Sequence, residues 1–105
     1  MFRNWLLNSN LDDFKNINAY SQLSKLSFNE LALQGTSIAM IRSNGEGTPN
    51  ATYCSFYMVI TETWAKNSSM WCTQIAIAKK DIPKIYVRSC EATHTIDSSV
   101  WYCLL

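Results

Sequence analysis

His94, Asp97, Ser98 and Ser99 fall together in the stretch THTIDSS (93–99). A histidine, an acid and a hydroxyl are the parts of a nucleophilic relay, but that relay needs three groups brought into line from different elements. Crowded into one polar loop they align poorly, and the stretch reads as a solvated loop. Asp12 and Asp13 are adjacent carboxylates, a pattern that more often caps a helix start than shares a proton. GEG (45–47) lacks the lysine and helix that follow in a phosphate-binding loop. Cysteines stand at 54, 72, 90 and 103 with no C-x-x-C pair and a single histidine in the chain, so zinc is not expected. These residues assign no catalytic group, no metal ligand and no cofactor, and the chain is expected not to be an enzyme.

Recognition chemistry is better represented. Trp64 and Trp71 flank the turn AKNSSM, and a second polar loop runs from Thr93 to Ser99. Loops held on a rigid sheet often carry recognition. Asn67, His94, Thr95 and Asp97 offer donors and acceptors suited to a neutral sugar, and Trp64 offers a flat apolar face for stacking. The competing reading leaves both loops as solvated turns. Asn50-Ala51-Thr52 and Asn67-Ser68-Ser69 match the glycosylation pattern, which carries nothing without secretion.

The elements that must position these residues are mostly strands. TYCSFYMVITETW (52–64) is dense in β-branched and aromatic residues; Cys54, Phe56, Met58 and Ile60 share one parity, taken as the core face. MWCTQIAIA (70–78) sets Trp71, Ile75 and Ile77 on one face, and KIYVRSC (84–90) alternates Ile85 and Val87 against Tyr86 and Arg88. KKDIPK (79–84) turns the chain between them, and VWYCLL (100–105) is a closing strand. Short polar connections join the four into an antiparallel meander. The first half is less regular. Residues 10–18 read as a capped turn or short helical segment, 19–24 and 38–43 as short strands, and 25–52 as loop-rich.

Composition narrows the class further. The chain has 105 residues, 48% hydrophobic and 16% charged, with net charge +1. That makes one domain, too apolar for disorder, with hydroxyl and amide groups solvating its surface. Lys79 and Lys80 are the only adjacent cations, so the clustered charge that grips a nucleic-acid backbone is missing. No apolar run reaches the ~18 residues of a membrane span, and the N-terminus lacks a signal-peptide pattern. Cytoplasmic assembly is expected, with reduced cysteines preferred over disulfides. A small apolar domain with open strand edges is expected to protect them by closing with copies of itself, as a homotrimer.

The order of these pieces resembles a known family. N-I-N-A-Y (16–20), a loop-rich middle, CTQIAIA, KIYVRS and a closing S-x-W-Y resemble the pyocin-knob type of domain at the C-terminus of phage tail fibres. The similarity spans residues 10–105 and is most specific at Gln74-Ile75 and Ile85-Tyr86-Val87-Arg88. Asn18-Ala19 replaces the family's glycine before Tyr20, and Leu104 or nothing stands for its second closing tryptophan. The resemblance implies an all-β, sandwich-like knob over 19–105, preceded by an attachment segment over 1–18 with Phe2, Trp5, Leu6 and Leu7 docking onto other virion proteins. It implies a phage fibre or fibre-tip protein located in the virion, contacting a host-surface glycan. A purely structural capping or decoration protein with no ligand is the alternative.

Overall fold

Ser27 and Glu30 open the first helix among the described residues by capping each other. In this computed structural model, which describes residues 25–43 and 45–105, the Glu30 N–H donates to Ser27 Oγ at 3.1 Å and the Ser27 N–H donates to Glu30 Oε1 at 3.0 Å. That reciprocal box satisfies two orphan donors of a helix start and nucleates α1, Phe28–Leu33. Sequence reading placed a loop-rich segment here. The S-x-x-E spacing was the signal for a helix, and packing supplies the rest, since six residues are too few to be helical alone.

Five strands follow: β1 Ser37–Arg42, β2 Phe56–Lys66, β3 Ser69–Ala78, β4 Ile85–Glu91 and β5 Tyr102–Cys103. Each pairs antiparallel with the next, giving one sheet in the order β1-β2-β3-β4-β5. This is the expected all-β meander, laid out as one sheet with α1 against it. The expected helical segment at 10–18, the strand at 19–24 and the attachment residues Phe2, Trp5, Leu6 and Leu7 lie outside the described residues.

The side of the sheet that receives α1 overturns the expected core face. Tyr57, Val59 and Thr61 are fully buried, whereas Met58 and Ile60 are half-buried and Phe56 is exposed. The physical reason lies on the neighbouring strands. Ala39, Ala76 and Ala78 share the face of Tyr57 and Val59, and their small side chains leave room for Phe28 and Leu31 of α1. Both faces are apolar at period two, so alternation alone does not tell which one takes the helix. Phe28 meets Tyr57 edge to face at 5.7 Å and Trp101 at 5.8 Å, joining helix, sheet and C-terminal segment. Burying two such apolar side chains contributes roughly 1.5–3 kcal/mol each.

A polar network runs through the same layer. Gln74 and Arg88 are opposite each other in the β3–β4 register, and both are buried. Arg88 donates from Nε to Gln74 Oε1 at 2.8 Å and from Nη2 to Asn29 Oδ1 at 3.0 Å. Gln74 Nε2 donates to the Phe28 carbonyl and to Thr61 Oγ1. The guanidinium lies 4.6 Å from the Trp101 ring, whose Nε1 donates to the Gly47 carbonyl at 2.6 Å. Burial lowers the Arg88 pKa, and Nη1 has no hydrogen-bond partner among the described residues. The arginine therefore carries a desolvation cost that its remaining contacts offset.

Next to it, Cys72 and Cys90 face each other with their sulfurs 3.8 Å apart, both as free thiols. Burial, reinforced by Cys90, pushes the Cys72 thiol up to about 12 from an ordinary 9.0. Burial likewise raises the Tyr57 hydroxyl above its ordinary 10.0. Above pH 9 the unfolded chain releases the Cys72 proton while the folded chain retains it, so stability is complete below pH 9 and falls as pH rises. We expect urea unfolding to report about 2 kcal/mol less stability at pH 10.5 than at pH 8.5, from the linkage slope of ~1.4 kcal/mol per pH unit. Cys72→Ala should flatten most of that slope. An alkaline profile that is level in the wild type would contradict the burial argument.

Candidate functional site

The face of the sheet turned away from α1 is organised in rows across the strands. At one end Trp64 of β2 stands opposite Trp71 of β3. The next row is polar, with Glu62, Thr73 and Ser89 in register. Beyond it come apolar rows, Ile38-Ile60-Ile75-Val87 and Met40-Met58-Ile77-Ile85. Rows form because alternate residues of every strand point the same way and the register aligns them.

Trp64 and Trp71 are held together by the turn beside them. Lys66 pairs with Ser69, leaving Asn67 and Ser68 as a two-residue turn. Asn67 has φ 58°, the left-handed backbone that tight hairpin turns demand and that asparagine tolerates well. A turn centred there places residue 64 across from residue 71. The two indoles stack with centroids 6.4 Å apart and planes 19° from parallel. They remain 50% and 42% exposed, which leaves the pair open to a flat apolar ligand face. In the adjoining row Thr73 Oγ1 and Ser89 Oγ are 3.0 Å apart, adding hydroxyls beside the aromatic surface.

The second expected loop lies against the same end. The Met70 N–H donates to Thr93 Oγ1 at 3.0 Å and to Glu91 Oε1 at 3.2 Å, and the Ala92 N–H donates back to the Met70 carbonyl at 2.6 Å. Glu91 clasps the two loops. Desolvation works to raise its carboxyl, but donors from Thr93, nearby His94 and the Met70 N–H leave it below its ordinary value. His94 is exposed, with Nε2 3.9 Å from Glu91 Oε2.

The expected site residues therefore divide. Trp64, Asn67 and His94 gather at the hairpin end. Thr95 is exposed, and its hydroxyl donates to the Glu91 carbonyl at 2.8 Å. Asp97, in the 3-10 turn Ile96–Ser98, accepts from Asn29 Nδ2 of α1 at 3.0 Å, on the helix side of the sheet. Ser98 Oγ donates to the Thr95 carbonyl, so the histidine, acid and hydroxyl of this loop each have a separate neighbour. Trp71 was not among the expected site residues. Its signal was the two-residue turn, which fixes its partner as Trp64.

Among the described residues, no three His, Cys, Asp or Glu side chains are grouped to hold a metal ion. Among the same residues, no helix is long and apolar enough to cross a membrane. No family model, curated protein or solved structure matches the chain.

Proposed function

We propose that this chain is a non-catalytic β knob of a phage fibre or fibre tip, assembled as a homotrimer in the host cytoplasm and carried in the virion. In this reading it meets a neutral glycan on the host surface with its hairpin end. The observation that carries the binding reading is the Trp64–Trp71 stack, half exposed on a hydrogen-bonded hairpin. Indole faces stack on the apolar faces of sugar rings. Asn67, His94 and the Thr73–Ser89 hydroxyls supply polar contacts around them. The fibre assignment rests on the resemblance carried by Gln74 and Ile85–Arg88. Attachment to other virion proteins falls to Phe2, Trp5, Leu6 and Leu7.

A second reading, a structural capping protein with no ligand, is favoured by a different observation. Ile38 is 56% exposed and Tyr102 68% exposed on the same face as the apolar rows, and such a surface suits subunit contacts.

A saccharide titration followed by tryptophan fluorescence separates the two. Trp64→Ala or Trp71→Ala should weaken binding about tenfold, the loss of ~1.4 kcal/mol of stacking. Asn67→Gly preserves the turn while deleting the amide, and should weaken binding severalfold. Light scattering should give three times 12.0 kDa for the wild type and for all three variants. Loss of the assembly in Trp64→Ala would place the stack in a subunit interface and favour the structural reading.

A further inference from the structure

The opposite end of the β2–β3 hairpin carries a different chemistry, and it stands apart from the reading of the tryptophan end. Lys79, Lys80 and Lys84 belong to the connection between β3 and β4, and Tyr53 precedes β2. Lys80 Nζ lies 4.6 Å from the Tyr53 ring centroid and donates to the Tyr53 carbonyl at 2.6 Å. Lys84 Nζ lies 4.8 Å from the same centroid. The Tyr53 hydroxyl donates to the Ile82 carbonyl, tying the loop before β2 to the β3–β4 turn. Two ammonium groups are thus held around one phenol ring, closer together than the ~10 Å screening length at 0.1 M salt.

No carboxylate among the described residues pairs with any of the three lysines; the ion pair found there joins His94 to Glu91. Beside them opens a cleft of about 360 Å³ whose lining includes Thr52, Tyr53, Ser55, Phe56, Lys79 and Lys80. The cleft combines cations, the Ser55 hydroxyl and aromatic walls. We propose that it binds an oxyanion of the phosphate or sulfate class. Lys79 and Lys80 would give charge-assisted hydrogen bonds, the Ser55 hydroxyl would complete the polar contacts, and Phe56 would cover the group's apolar carrier. An anion seated there also relieves the repulsion between Lys80 and Lys84.

The test uses the full chain, with inorganic phosphate and a glycerol-phosphate oligomer as probes and a neutral oligosaccharide as control, all at matched ionic strength. Isothermal titration should show saturable binding of phosphate to the wild type. Lys79→Gln should weaken it at least tenfold, and the Lys80→Met/Lys84→Met pair should abolish it. Circular dichroism of each variant checks the fold, and Lys79→Gln, an exposed change, keeps the test decisive if the double variant unfolds. Tighter binding of the oligomer identifies a ligand-borne phosphate, and equal or weaker binding identifies the free ion; either upholds the site. Equal phosphate binding by wild type and Lys79→Gln, no saturable binding by the wild type, or equal binding of the neutral oligosaccharide would overturn it.

Discussion

Arg88→Ala is expected to lower the unfolding free energy by about 4 kcal/mol, in the range seen when a buried charged partner is removed and a cavity is left. The side chain is 1% exposed. Its removal strips Gln74 Oε1 and Asn29 Oδ1 of their donors and leaves the Trp101 ring without the guanidinium packed 4.6 Å away. Each orphaned buried acceptor costs roughly 1–3 kcal/mol. Domains of this size are stable by only about 5–15 kcal/mol, so the melting temperature should drop by roughly 20 °C. Arg88→Lys should recover less than half of the loss, because a point ammonium cannot reproduce a fork that reaches two separate acceptors. A drop below 1 kcal/mol in urea unfolding would show that the network is not what joins helix, sheet and C-terminal segment.

Gly47→Ala is expected to cost about 3 kcal/mol through the same network, combining left-handed backbone strain with a displaced hydrogen bond. Gly47 has φ 79°, and an added Cβ would stand 2.1 Å from Asn29 Oδ1 and 3.0 Å from Arg88 Nη2. Asn29 would have to move, giving up its bonds to Arg88 and Asp97. Gly35→Ala is the natural comparison. Gly35 also has positive φ, at 105°, but its added Cβ meets only Thr63 Oγ1 at 3.8 Å. It should therefore lose the backbone part alone, about 1–2 kcal/mol. Equal losses at the two glycines, measured by urea unfolding, would contradict a role for contact at Gly47.

The three long strands were legible in the sequence, read at 52–64, 70–78 and 84–90, because β-branched and aromatic residues are dense there with turn residues between them. The structure starts the first at Phe56 and carries it to Lys66, and shifts the others by a residue. Which face is buried was not. Met58, Ile60, Ile75 and Ile77 are as apolar as Tyr57, Val59, Ala76 and Ala78, and the choice between them depends on a six-residue helix. That helix was written in Ser27 and Glu30, but FNELAL is too short for its periodicity to stand out. Gln74 and Arg88 were singled out as a pattern, yet nothing in their types marks them as interior. Glutamine and arginine are mostly exposed, and only the cross-strand register brings them together under α1. At the hairpin end, Trp64 and Asn67 were legible as a stacking surface and a turn. Trp71 follows once the turn is reduced to Asn67 and Ser68. The pairing of the second loop with Met70 depends on Glu91 and Thr93 reaching from the end of β4 to the start of the neighbouring β3, a contact that sequence spacing does not encode. In the sequence Lys79 and Lys80 read as a single adjacent pair, because only the fold gathers Lys80 and Lys84 around Tyr53.

Retention on intact bacterial cells tests the binding reading most directly. Labelled wild-type protein and the Trp64→Ala/Trp71→Ala double variant would be incubated with a panel of strains, with light scattering confirming equal assembly. The expected result is at least one strain that retains the wild type and releases the double variant, with neutral polysaccharide from that strain competing for the wild type. Equal retention of the two proteins, or a wild type retained by no strain, would contradict a glycan-binding role for the tryptophan pair.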